Sequence, residues 1–591
     1  MKKFLGNLLS SFLGAFAALM TVFLVIYVVI VISIGGIDKG GPIANAQDVL
    51  HLKLNVDLVE KGKQNPLQDL DLPILGLKKE VGLVEILKVL DDAKNDESIK
   101  AVFLDLSGVP AGYGMVEDIR QAILDFRESE KNVYAYGEMM SEKAYYLASA
   151  ADQIYLPPSG MIEFKGISAE VMFYKDLLER LELEPKIFRV GKFKSAIEPF
   201  IRTDMSEANR TQIKSFIESI YRYNLEQIAE SRNLNYDDIR LMSDSLLVRN
   251  IDDAVRLGLV DKAYYFDEVI KKMKADLNIS EEGKIRLVSM EKYQTENLEI
   301  ELEDPNKPKV AVIIGMGDIM PGQSEEGSIG SSTIAAAVRK ARQDDNVKAI
   351  VVRINSPGGS ALASDIMWRE ISLASEKKPT IASMSTVAAS GGYYMAMSCD
   401  TIVAQPNTIT GSIGVFGLLV NAEKFLSNKI GVTTDRVKTG AFSDLGSPTR
   451  QMTDEDSVAI QTEVNHIYED FTTKAAKGRG MDVDDLKDIA GGRVWTGQQG
   501  LENGLVDILG GLQKAIEVAA NSAGISENYE VAYFPKEQGF FGDWGASASA
   551  SIKNQFIEEE LGDFKKYLLP VEDVMKMQGV QARVPFELHI D

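Results

Sequence analysis

Val347-Lys348-Ala349-Ile350-Val351-Val352-Arg353-Ile354, followed by Asn355-Ser356-Pro357-Gly358-Gly359-Ser360, decides the fold. The first eight residues are a nearly continuous apolar, β-branched run, the pattern of a strand buried on both faces of a parallel sheet. The next six make a turn: Pro357 fixes φ, and the two glycines allow backbone conformations that a Cβ forbids. Moving outward, a strand is expected before this unit at 310–314, a helix at 333–343, and a further strand at 381–384, after Lys377-Lys378-Pro379. Alternating strands and helices predict α/β layers on a largely parallel sheet.

The same unit occurs 248 positions earlier, as Ile99-Lys100-Ala101-Val102-Phe103-Leu104-Asp105-Leu106. Near that offset, Leu257-Gly258-Leu259-Val260-Asp261 matches Asn503-Gly504-Leu505-Val506-Asp507. Leu54-Asn55-Val56-Asp57 and Gly315-Met316-Gly317-Asp318 correspond only loosely, at a larger offset. A period this long means two tandem domains rather than a solenoid, and copies of about 250 residues can each bury a core. The copies are expected at 48–300 and 309–535. The acidic, proline-containing stretch 299–308 reads as the linker. Each copy has a more helical second half, with long helices expected over Glu207–Arg232 and 454–477. The tail 536–591 opens with aromatic, Gly and Ala-Ser runs and reads as a loop leading to a C-terminal helix that packs on a neighbouring subunit.

Each copy lacks one half of a possible catalytic pair. The second contains Ala388-Ala389-Ser390-Gly391-Gly392-Tyr393-Tyr394, and the first has Met140-Ser141-Glu142-Lys143-Ala144-Tyr145-Tyr146, so Glu142 stands at the place of Ser390. Further on, Arg189-Val190-Gly191-Lys192-Phe193-Lys194-Ser195 meets Lys438-Thr439-Gly440-Ala441-Phe442-Ser443-Asp444, so Ser443 stands at the place of Lys194. Ser390 lies where a strand gives way to a helix among small residues, a setting that exposes a hydroxyl to a substrate backbone. The Gly391 N–H beside it is suited to stabilise an oxyanion. Small residues there also serve close helix–sheet packing, and Pro-Gly-Gly more often marks a plain turn. A serine needs a neighbour to take its proton, and a lysine can do so when burial lowers its pKa towards ~7–8. Of Lys192 and Lys194 the repeat favours Lys194 only modestly.

Composition narrows the chemistry. With 591 residues, 45% hydrophobic and 26% charged, the chain is ordinary globular protein of several domains. A net charge of −23 argues against a nucleic-acid partner and against a basic patch for anionic lipid. There is one cysteine, Cys399, in an apolar helical context that reads as a small buried hydrophobe. The three histidines, His51, His466 and His589, sit in no turn-rich motif, so a Ser-His-Asp triad has poor candidates and no zinc-ligand spacing exists. Neither a metal nor another cofactor is expected.

At the N-terminus no charged residue occurs between Lys3 and Asp38. The apolar run 12–34 is long enough for the ~20 residues that cross a bilayer, and longer than the h-region of a cleaved signal peptide. Lys2 and Lys3 before it predict a short cytoplasmic segment, 1–11, and place the rest outside the cytoplasm, periplasmic in a Gram-negative cell.

Together the duplication, the strand with Asn-Ser-Pro-Gly-Gly, the Ala-Ser-Gly-Gly-Tyr-Tyr block and Lys194-Ser195-Ala196-Ile197-Glu198-Pro199-Phe200 resemble the signal peptide peptidase A family of the long, two-domain type. The resemblance covers nearly all of 48–535 and the N-terminal anchor. It implies two tandem Clp/crotonase-like domains, a serine peptidase of the inner membrane with a Ser–Lys dyad, and digestion of signal peptides left in the membrane after secretion. It implies Ser390 as nucleophile, Lys194 as general base, and Ser412 as the residue holding the lysine. The oxyanion donors would be Gly391 and Gly359, with Gly358 open as an alternative. It also implies a homotetramer, peptide substrates, and contact with lipid through residues 12–34. An acyl-CoA enzyme of the shared fold is the main alternative and would need basic residues for the nucleotide phosphates. A non-catalytic membrane scaffold is the other, and complementary loss of serine and lysine argues against it.

Overall fold

The computed structural model describes residues 47–62, 80–296, 307–325, 327–535 and 579–583, with isolated positions in the N-terminal stretch. The expected membrane span 12–34, the linker and most of the tail lie outside the described residues. Among the described residues, no helix is long and apolar enough to cross a membrane.

Each copy is built on its own parallel sheet. In the first, the strand order is Lys262–Ala263, Gln153–Leu156, Asn132–Tyr136, Ile99–Asp105, Gln47–Lys53, Ile285–Ser289. In the second, Thr380–Ala389, Val347–Ser356, Lys309–Met316 and Glu530–Phe534 lie side by side in parallel. The 347–356 run is thus a central strand, and Val347, Ala349, Ile350, Val351, Val352 and Ile354 are all buried, as its composition requires. Helices cover both faces: Ser331–Gln343 and Ala361–Ser375 pack on one, Leu512–Ser522 on the other. The two long helices run Glu207–Arg232 and Asp454–Arg479.

The copies repeat each other in atomic detail. Tyr145 donates its hydroxyl to Leu259 O at 2.8 Å, and Tyr393 to Leu505 O at 3.1 Å. Asp261 accepts the Ile154 N–H and pairs with Arg232, while Asp507 accepts the Ile402 N–H and pairs with Arg479. The loose match near Asp57 and Asp318 is structurally sound, because each opens a short strand, Asp57–Val59 and Asp318–Met320, paired in parallel with Glu80–Gly82 or Ser328–Gly330.

A third sheet was not expected, and it joins the copies. Its order is Ser328–Gly330, Asp318–Met320, Gly358–Ser360, Gly579–Arg583, Phe416–Asn421, Glu184–Arg189. The last of these belongs to the first copy and pairs antiparallel with Phe416–Asn421 of the second. Just beyond it, Ala196, Ile197 and Phe200 bury their side chains against Phe416 and Leu418. The described part of the tail, Gly579–Arg583, is a strand in this sheet and not a C-terminal helix on a neighbour, because it finds two open strand edges to pair with.

Arg353 pins the two copies together from the central strand of the second. Its guanidinium, fully buried, meets Glu60 at 2.8 Å and Asp118 at 2.5 Å, both from the first copy, and Ser383 and Ser385 accept further N–H groups. Burial disfavours its charge, but the two carboxylates outweigh that and hold the guanidinium above its ordinary pKa.

Candidate active site

Ser390 stands between the Thr380–Ala389 strand and the Gly391–Ala396 helix with φ 54° and ψ −110°. A non-glycine residue in that region carries strain of about 1–3 kcal/mol, held here by the surrounding bonds. Its N–H donates to Gly411 O at 2.8 Å, and its carbonyl accepts Tyr394 N at 2.8 Å. The turn aims the hydroxyl toward the first copy.

There Lys194 meets it. Lys194 Nζ lies 2.7 Å from Ser390 Oγ, 3.1 Å from Ser412 Oγ and 3.1 Å from Ser412 O. The lysine is fully buried, and burial pushes its pKa well below that of an ordinary lysine. A neutral amine at this point gives its two N–H groups to Ser412 and turns its lone pair to the serine proton. Lys192, the sequence alternative, is exposed and lies over the Phe193 ring. The geometry decides for Lys194.

The second copy builds the socket for this lysine. Gly492, with φ +81°, passes so close that a Cβ there would lie 2.6 Å from Lys194 N and Cβ. Phe193 N donates to Gly491 O at 3.1 Å, and Ser412 N donates to Arg493 O at 2.7 Å. From the first copy, Gln212 donates to Phe193 O at 3.1 Å and Ser195 Oγ at 3.3 Å, while its own oxygen accepts Val494 N at 3.3 Å. Glu198 accepts from Ser206 and from Asn209, which fixes the turn after the lysine. Sequence reading missed Gln212 and the Gly491-Gly492 pair. Glu198 was inside the quoted motif and was not singled out.

Beside Ser390 the backbone is bare. Gly358 and Gly359 have φ +102° and +152°, and the Gly358 N–H is already donated to Ser356 Oγ at 3.1 Å. That leaves Gly359 and Gly391 as the N–H groups facing the groove, in agreement with the sequence expectation. An added Cβ on Gly358 would lie 2.8 Å from Gly391 N, so the two segments meet without room for a side chain.

The corresponding place in the first copy is filled. Glu142 is buried, burial raises its pKa, and its carboxylate accepts the Gly166 and Lys165 N–H groups at 2.9 and 3.3 Å. Ser443, the counterpart of Lys194, sits in an exposed turn and donates to Gly440 O. Cys399 is buried, with its thiol pKa raised by burial, as a structural cysteine would be.

Residues 125–280 and 372–526 match peptidase family S49. The chain is 34% identical to "Protease 4" of Haemophilus influenzae, over 86% of this chain and 82% of that one. It is 35% identical to "Protease 4" of Salmonella typhi, over 78% and 75% of the respective chains. It is also 35% identical to "Serine protease SPPA, chloroplastic" of Arabidopsis thaliana, over 74% of this chain and 65% of that one.

Proposed function

The chain belongs to peptidase family S49 as a serine peptidase of the SppA type, and on that premise we propose a Ser–Lys mechanism with Ser390 as nucleophile and Lys194 as general base. The observation that carries it is the 2.7 Å approach of a buried lysine amine to Ser390 Oγ. Neutral Lys194 takes the Ser390 proton as Oγ attacks the scissile carbonyl carbon. The Gly391 and Gly359 N–H groups receive the oxyanion. Lys194 then returns the proton to the leaving amine. Water, deprotonated by the same amine, hydrolyses the ester and frees Ser390. Ser412 orients Lys194 by accepting two of its hydrogen bonds.

Further parts of the proposal concern setting and substrate. The apolar run 12–34 anchors the chain in the cytoplasmic membrane with the catalytic copies outside the cytoplasm, and the substrates are signal peptides remaining there. Assembly is supported by the duplication itself. The Glu184–Arg189 and Phe416–Asn421 strands pair within the chain. Their counterparts, 433–438 and 168–173, form no ladder among the described residues apart from an isolated bridge at Ala169, and Val437 and Met172 are exposed. Pairing 433–438 of one chain with 168–173 of the next repeats the internal junction head to tail and closes into a homo-oligomer, a tetramer in this proposal.

Cleavage of a fluorogenic peptide with an apolar residue before the scissile bond tests the core of the reading. Wild type should cleave it, and Ser390→Ala and Lys194→Ala should not; unchanged activity in both variants would sink the proposal. Deletion of residues 1–46 should release activity from the membrane fraction. Val437→Asp with Met172→Asp should lower the mass measured by light scattering in detergent, and an unchanged mass would overturn the strand-to-strand assembly.

A further inference from the structure

Resting on the mechanism above, we infer that the chain's own C-terminal strand is a substrate of its active site, cut between Ala582 and Arg583. Gly579–Arg583 fills the gap between the Gly358–Ser360 and Phe416–Asn421 strands, antiparallel to both. Gln581 pairs with Ser360 on one side and Phe416 on the other, and Ala582 pairs with Gly359. An extended peptide held on two edges by main-chain bonds is presented as a protease substrate is.

The register puts one carbonyl at the chemistry. The Ala582 oxygen lies 2.1 Å from where a Gly358 Cβ would be and 3.1 Å from where a Gly391 Cβ would be, so it sits against the two bare segments beside Ser390. The side chains fit this register too. Ala582 is buried, where nothing larger than a methyl group is present. Val580 packs against the core of the second copy. Arg583, on the far side of the bond, pairs with Asp318 at 3.2 Å. That ion pair assigns Asp318 the role of reading a basic residue just after the cut.

Ser390 Oγ forms a bond to the Ala582 carbonyl carbon and gives its proton to Lys194. The Ala582–Arg583 C–N bond then breaks, and the Arg583 nitrogen takes that proton and leaves as an amine. Water hydrolyses the Ala582 ester, giving a new carboxylate at Ala582 and restoring the Ser390 hydroxyl. The segment starting at Arg583 is released, and the groove opens to other peptides.

The test is intact-mass spectrometry of the purified full chain over time, alongside cleavage of the fluorogenic peptide. Wild type should shorten to a chain ending at Ala582 at a rate independent of protein concentration, and Ser390→Ala should stay intact. Arg583→Glu should cleave itself about fivefold more slowly, the scale of losing one partly exposed ion pair. Wild type that hydrolyses the peptide but keeps its tail overturns self-processing and leaves the peptidase mechanism standing. Wild type that does neither overturns both. Equal shortening of Ser390→Ala, or a rate proportional to concentration, overturns cleavage of the strand by its own chain's site.

Discussion

Lys194 Nζ and Ser390 Oγ stand 2.7 Å apart although 196 residues separate them in the chain. Neither duplicate holds both groups, so the interface between the copies is the active site. Substituting Ser390→Ala or Lys194→Ala should lower kcat by about 10⁴ or more, as removal of a nucleophile or its base does elsewhere. Lys192→Ala, at an exposed position, should stay near wild type. Steady-state peptide hydrolysis checks all three.

The catalytic base must be neutral, and burial holds Lys194 well below the ordinary lysine pKa. Peptide hydrolysis, as kcat/KM, should therefore rise with pH along a single limb whose midpoint lies far under 10.5, and hold a plateau above it. Ser412→Ala removes one of the hydrogen bonds that orient the amine and should cost about three- to tenfold, the scale of ~0.5–1.5 kcal/mol.

Stability should carry the opposite signature of the same burial. Between the lowered folded pKa and the unfolded value, the unfolded chain holds a proton on Lys194 that the folded chain lacks. This residue's contribution to folding thus becomes less favourable as pH falls, by about 1.4 kcal/mol per pH unit, down to the folded pKa. Lys194→Met, which cannot titrate, should be inactive, and its stability relative to wild type should improve as pH is lowered from 10 to 8. Urea unfolding at several pH values measures this.

The oxyanion donors can be separated by their surroundings. A Cβ at Gly359 would lie 2.2 Å from Ile319 O, against rigid backbone, while at Gly391 the nearest atom is Ser364 Oγ at 2.6 Å, a hydroxyl that can rotate. Gly391→Ala should fold with modest loss. Gly359→Ala should shift its N–H and lose about 10²–10³ in kcat, the value of one oxyanion donor. Circular dichroism beside kinetics separates folding from chemistry.

Arg353 predicts how the copies hold together. Arg353→Met leaves Glu60 and Asp118 buried without their cation and should cost about 3–5 kcal/mol. Replacing all three with apolar residues of similar volume should recover much of that. Thermal and denaturant unfolding of the single and triple variants checks both statements.

Much of this was legible in the residues. The buried run 347–354 and the repeat 248 positions earlier announced two parallel α/β copies, and the long helices fell close to their periodic patterns. The exchange of serine and lysine between copies named the pair before any coordinates. What stayed hidden was assembled from short, distant pieces. The third sheet draws strands from 184–189, 318–320, 328–330, 358–360, 416–421 and 579–583, and several are three residues long, too short for any periodicity to register. Lys192 and Lys194 differ in burial, and burial there is set by Gly492, nearly three hundred positions further on. Gln212 is one polar residue inside a long helix, and nothing nearby in sequence says that it braces the lysine turn.

The Gly491–Arg493 loop gives the enzyme a timetable. Lys194 is made early and Ser390 later, but the backbone that closes on the lysine and receives Ser412 comes later still. A chain emerging from the ribosome therefore carries first a base with no nucleophile, then a nucleophile whose base has no socket. Proteolytic competence arrives only once the second copy has been synthesised through Arg493 and docked on the first. During export, when unfolded polypeptide surrounds it, the half-made enzyme is harmless.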